Sequence, residues 1–153
     1  MIGRPSTARL LEVVRQELRE AVGPKLGNDP GAAASLHMID HLLETLAKRA
    51  AHEVAWMVEE TATLTTFGEE AVAALGEGSR TAAALDALRA AGPGTLHVTD
   101  VEARYSLASE VLSCALEEAE PGSPVAMAAD ASLDARLARE HEILGSFQLV
   151  GRG

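Results

Sequence analysis

The chain has 153 residues and carries 13 Lys and Arg against 23 Asp and Glu, a formal charge of −10. That balance argues against a nucleic-acid surface, because phosphate binding needs clustered Lys and Arg, and against an anionic membrane face. The apolar fraction is 47% but aromatics are only 3%, so the apolar mass is Ala, Leu and Val, which suits helix packing better than a β-sandwich.

The first helix is expected in RPSTARLLEVVRQELREAVG, with Ser6 or Thr7 as its cap after Pro5 and Gly23-Pro24 as its stop. Leu10, Leu11, Val14, Leu18, Ala21 and Val22 fall on one arc at helical spacing. GNDPG, residues 27–31, reads as a turn. A second helix starts near Ala32, with Ile39, Leu42, Leu43, Leu46, Ala50, Val54 and Met57 as its apolar positions. No Gly or Pro interrupts it before Gly68, and TATLTTFGEE, residues 61–70, is the expected break. Threonines are weak helix formers, and Thr66 to Glu69 has capping-box spacing. A short helix from Phe67 to Leu75 would follow, then one starting at Ser79 or Thr81 and ending at Gly92. Thr99 to Glu102 is a second capping-box match, opening a helix over about 100–119. PGSP, residues 121–124, separates it from a last helix, Asp130 to Leu144. TLHV, residues 95–98, is the best short strand candidate, and the tail SFQLVGRG is partly apolar. The expected fold is all-α: an antiparallel bundle of about five to six helices with a long second helix, a single domain over residues 1–153. Leu10, Leu11, Val14, Leu18, Leu42, Leu43, Leu46, Leu112 and Leu116 are the expected core.

No apolar run is long enough to span a bilayer, and MIGRPSTARL lacks the apolar core of a secretory signal. Cys114 is the one cysteine, so no internal disulfide can form. A cytoplasmic location is expected.

HMIDHLLETLAKRAAHE, residues 37–53, holds three of the five histidines. His37 and His41 stand four apart and Glu44 shares their face, the spacing of helical metal ligands. His52 lies about 22 Å further along the axis and cannot join the same ion. These side chains lie opposite the arc of Ile39, Leu42 and Leu46, residue 38 is Met rather than Glu, and HExxH is absent. A solvated face is the first reading, and His37, His41 and Glu44 remain the weak catalytic candidates. No metal and no cofactor are expected. The adjacent pairs Glu59-Glu60, Glu69-Glu70 and Glu117-Glu118 diverge by about 100° on a helix and read as solvated charge. Cys114 reads as a packed thiol, His141 as half of a solvated His–Glu pair. Trp56, Met57 and Tyr105 are the candidates to edge a small apolar pocket. P-loop, dinucleotide-fold, serine-elbow, kinase and CxxC motifs are all absent.

At RPSTARLLEVVRQELREAVGPKL, the residues Arg4, Pro5, Leu10, Leu11, Val14, Leu18, Pro24 and Leu26 resemble the opening of a small bacterial helical domain of unknown function. LHMIDHLLETLAKRAAHE is a looser match to that family's second helix. The resemblance covers the first third of the chain. It implies a companion of aminoglycoside-phosphotransferase-like kinases and acyl-CoA dehydrogenase-like enzymes, and it brings no active-site residue with it.

The expected function is a non-catalytic accessory or interaction protein that self-associates or docks on a partner enzyme. The alternatives are a small apolar-ligand module at Trp56, Met57 and Tyr105, or an enzyme using His37, His41 and Glu44. A homodimer is expected along antiparallel second helices, through Leu36, Trp56 and Val58. No nucleic acid and no membrane are expected as partners.

Overall fold

The computed structural model describes residues 5–144. Arg4 and the tail SFQLVGRG lie outside the described residues. The structure is 84% helical, with five α-helices and, among the described residues, no strand. In order they are α1 (Thr7–Glu17), α2 (Pro30–Leu75), α3 (Arg80–Ala90), α4 (Val98–Glu118) and α5 (Pro124–Leu144). No described helix is long and apolar enough to cross a membrane. TLHV is not a strand; it runs through a loop into the start of α4.

Most helix ends follow from side-chain chemistry. The Ser6 hydroxyl accepts from the Arg9 amide and the Ser79 hydroxyl from the Ala82 amide, each satisfying a donor that has no partner within its own helix. Ser123 does the same for Ala126, so α5 opens at Pro124, well before the expected Asp130. Proline suits that first position because its missing N–H would have had no partner there. At α4 the expected capping box does not form. Asp100 turns back instead, accepting from the Thr95 amide at 3.2 Å and its hydroxyl at 2.6 Å, and His97 stands at the cap without a side-chain bond. After α1 the chain continues through a π-helical turn, Leu18–Val22, and a 3₁₀ turn, Gly23–Lys25.

The break expected at residues 61–70 is absent. α2 runs for 46 residues, about 69 Å of axis. The threonine hydroxyls find partners inside the helix: Thr63 donates to the Glu59 carbonyl, Thr65 to Thr61 and Thr66 to Ala62. Their competition with the backbone is thereby turned to helical use. Gly68 is retained mid-helix for a packing reason. A Cβ there would stand 2.7 Å from Val111 Cγ1 and 3.2 Å from Leu85 Cδ1, so its absence lets α2 approach α3 and α4 closely.

The described chain divides into two compact units that share α2 and α5. The central unit, Val54–Glu140, has a continuous core. Leu64, Phe67, Ala71 and Val72 of α2 meet Leu85 and Leu88 of α3, Ala108, Val111, Leu112 and Ala115 of α4, and Val125 and Ala129 of α5. Three of the four alanines among these, Ala108, Ala115 and Ala129, are fully enclosed, which brings backbones together where larger side chains would hold them apart.

The other unit holds the described residues up to Glu53 and from His141 onward. Here the expected core is overturned. Leu10, Val14, Leu42 and Leu46 are about half exposed, and Leu11, Leu18 and Leu43 are only partly covered. The buried residues of this hairpin are Arg15 and Ala47. Of the expected core, Leu112 is buried and Leu116 packs partly covered against the central core.

Candidate functional site

The helix face of His37, His41 and Glu44 is not simply solvated, because α1 lies along it. Arg15, 7% exposed, donates to Asp40 at 3.2 Å, to Glu44 at 3.0 Å and to Glu12 at 2.9 Å, while Arg19 reaches Asp40 at 2.6 Å. Burial pushes the Asp40 carboxyl up, but the hydrogen bonds from Arg19 and Arg15 outweigh it and hold the group below its usual range. Burial likewise pulls Arg15 down, and Asp40 and Glu12 carry it above its usual value. The pairings 15 with 44 and 19 with 40 set α1 antiparallel to the first part of α2.

Glu44 is therefore committed to Arg15 and Lys48. His37 is exposed and lines, with Arg19, Leu36 and Asp40, a surface cavity of about 250 Å³. His41 is half-buried. Among the described residues, no group of three or more His, Cys, Asp or Glu is placed to hold a metal ion.

The residues expected to edge an apolar pocket sit in the central unit beside a polar lock. Glu60 accepts from the Tyr105 hydroxyl at 3.2 Å and from Arg136 Nε at 2.6 Å, and pairs with Arg139 at 3.5 Å. The Arg136 guanidinium lies over the Tyr105 ring, 5.2 Å from its centre, and Arg139 lies 5.9 Å from the centre of Trp56. Met57 is half-buried on the same helix. Burial pushes the Tyr105 hydroxyl up, Arg136 opposes, and Glu60 adds to the rise. This cluster ties α5 to α2 and α4. Reading Glu59-Glu60 as uniformly solvated holds for Glu59 and fails for Glu60, whose side chain is 15% exposed. The signal for it was present: Arg136 and Arg139 stand three apart, on one helix face.

Glu117-Glu118 divides in the same way. Glu117 pairs with Arg80 at the surface. Glu118 accepts from the Arg80 amide at 2.7 Å, the Thr81 amide at 3.0 Å and the Thr81 hydroxyl at 2.7 Å, closing the N-terminus of α3 from the end of α4. The Thr81 hydroxyl, with the two amides behind it, holds this carboxyl below its usual range. Cys114 is buried, and burial with Glu110 beside it pushes the thiol up. That is the opposite of an activated nucleophile.

The apolar surface is the feature that the sequence reading misplaced. Among the described residues, eight of the thirteen large exposed hydrophobics lie before Glu53: Leu10, Val13, Val14, Val22, Met38, Ile39, Leu42 and Leu46. Of the residues expected at a dimer contact, Leu36 and Trp56 are partly covered and Val58 is exposed. Leu36 stands beside the Gly23 turn and Trp56 beside Arg139. Leu10, Val13 and Val14 form one stripe on α1, and Met38, Ile39, Leu42 and Leu46 form another on α2. At about 100° per residue each stripe turns about 130° from the direction of the other helix. In an antiparallel pair both turn to the same side of the hairpin.

Charge is divided just as unevenly. Residues 54–140 hold five Lys and Arg against fifteen Asp and Glu, the whole of the −10. Residues 1–53 hold seven of each sign and residues 141–153 one of each. This division is legible without coordinates, once the boundary near residue 54 is known. No protein-family model, no curated protein and no solved structure matches the chain.

Proposed function

We propose that the chain is a non-catalytic interaction protein that self-associates through its N-terminal hairpin, α1 with the first part of α2. The observation that carries this reading is a hairpin, α1 with the first part of α2, that has an apolar stripe on each helix and, among the described residues, only Arg15 and Ala47 buried. An amphipathic helix is stabilised mainly by covering its apolar face. Two such hairpins supply four helices, enough to close around one core. A two-fold axis lets each stripe meet its own copy.

Charge supports a second copy as the occupant. Two central units, each strongly acidic, repel. The hairpin is neutral and can approach its copy without that cost. The magnitudes are sufficient. Completing the burial of a half-exposed Leu-sized side chain contributes about 1 kcal/mol. Seven residues from each of two copies then supply roughly 10–20 kcal/mol, against an association cost of about 4–15 kcal/mol.

The test is the paired substitution Leu42→Glu with Leu46→Glu, read by sedimentation and by fluorescence of Trp56, the only tryptophan, in the central unit. The expected result is loss of self-association with the Trp56 signal unchanged. An assembly that persists with both charges in place overturns the reading.

A further inference from the structure

α2 passes from Glu53 of the hairpin to Val54 of the central unit without a break, so the two ends of the hairpin are unlike. One end is closed by the turn at residues 26–29. The other is tethered to a unit with fifteen acids and five bases. Two kinds of two-fold axis can pair a hairpin with its copy. An axis along the helices sets tethered end beside tethered end. An axis across them sets each tethered end beside the closed end of the second copy.

The exposed column on α2 fits the axis across the helices. At about 100° per residue, Ser35, Met38, Leu46 and Arg49 all lie within about 40° of the direction of Leu42, and all five are exposed. The column has the same pattern in both directions from Leu42. Met38 and Leu46 stand four residues away on either side, and Ser35 and Arg49 stand seven. An axis across the helix at Leu42 therefore lays apolar on apolar, Leu42 on its own copy and Met38 on Leu46, and polar on polar, Ser35 on Arg49. Ile39, further round the helix, lies opposite Thr45. An axis along the helix lays Arg49 on Arg49 instead.

Charge selects the same axis. At about 1.5 Å per residue, an axis across Leu42 keeps the two copies of Glu53 about 33 Å apart, roughly four Debye lengths at physiological salt. An axis along the helices brings them to the spacing of packed helices, about 8–10 Å, or roughly one Debye length. That arrangement tethers the two acidic units side by side, where they repel. The antiparallel arrangement also opposes the two helix dipoles.

We infer that two copies pair antiparallel across a two-fold axis at Leu42, with Met38 of each against Leu46 of the other and Ser35 against Arg49. This orientation and register rest on self-association through the hairpin.

The experiment places thiols at the two ends of the column in the full chain. Cys114→Ala removes the native thiol, which lies in the central unit. Ser35→Cys and Arg49→Cys are then made as separate chains, both at exposed positions. They are mixed in equal amounts, allowed to exchange, and oxidised with diamide; products are separated on a non-reducing gel, and the mass is followed by light scattering. In the antiparallel pair two thiols at residue 35 stand about 21 Å apart, as do two at residue 49, far beyond the Cα separation of about 4.4–6.8 Å that a disulfide allows. A thiol at 35 and one at 49 face each other. The expected result is a mixed 35–49 disulfide forming about tenfold or more faster than either like-with-like disulfide. A like-with-like disulfide as fast as the mixed one, or a dimer that forms none of the three, would overturn the orientation and register and leave self-association standing. A chain that stays monomeric by light scattering would overturn both.

Discussion

Gly68→Ala sets two well-known magnitudes against each other. Alanine in place of glycine in a helix interior is worth about 0.5–1 kcal/mol of stabilisation from propensity. Against it stands the contact with Val111, where the new methyl would lie 2.7 Å from Cγ1, with Leu85 Cδ1 at 3.2 Å behind it. Both side chains are enclosed and cannot swing into solvent, so the helices must part. Overpacking of this kind costs about 1–3 kcal/mol. The net expectation is destabilisation of about 0.5–2 kcal/mol. Val111→Ala alone should cost roughly 2–3 kcal/mol from lost burial and the cavity it leaves. In the Gly68→Ala background it should cost about 1 kcal/mol less, because the added methyl occupies part of the vacated space. Urea unfolding followed by Trp56 fluorescence at fixed protein concentration measures all four corners of the cycle. A Gly68→Ala variant more stable than the parent, with additive costs in the double variant, would mean that α2 and α4 do not approach as closely as described.

Arg15→Met should cost about 1–3 kcal/mol, because it removes the buried cation of the cluster and leaves Asp40 to Arg19 alone and Glu44 to Lys48 alone; replacing Asp40 by Leu as well should recover part of that, and a double variant as unstable as the single would refute the coupling. Thr81→Val should cost about 1 kcal/mol by removing one donor from Glu118 while keeping shape, measured by the same unfolding curves; no loss would place the hydroxyl elsewhere. Asp40, Asp100 and Glu118 all have folded-state values below their ordinary ones, so they contribute stability that is present above the ordinary carboxylate range and lost as pH falls through the folded values. The melting temperature should therefore be flat above about pH 5 and decline below about pH 4, with a shallower decline in Glu118→Gln; identical acid profiles would remove Glu118 from the explanation.

The helical class, the number of helices and most of their starts were legible in the sequence. Serine caps and Gly-Pro stops act through the adjacent backbone, and that information is local. What lay beyond it was the partner of each face. The arc of Ile39, Leu42 and Leu46 was correctly identified as apolar and wrongly placed inside. Periodicity locates a stripe but does not say what covers it, and here Arg15 draws α1 to the carboxylates of Asp40 and Glu44 instead. The same limit explains Glu60 and Glu118, each adjacent to a solvated twin and distinguished only by a residue distant in sequence. The missing break in α2 has a different cause. Gly68 is a poor helix residue in isolation, and tertiary contact with Val111 and Leu85 reverses its meaning. The candidate interaction surface was half legible: the apolar residues were visible, and so was the neutrality of residues 1–53, but not that the two coincide.

The mass of the unmodified chain in solution bears most directly on self-association through the hairpin. Light scattering across micromolar concentrations, at low and at physiological salt, should give twice the chain mass of 16.0 kDa, with little dependence on salt because the paired surfaces are apolar and neutral. A mass of 16.0 kDa throughout that range would contradict the account, and would leave the stripes of Leu10, Val13, Val14, Met38, Ile39, Leu42 and Leu46 to be covered by a different protein.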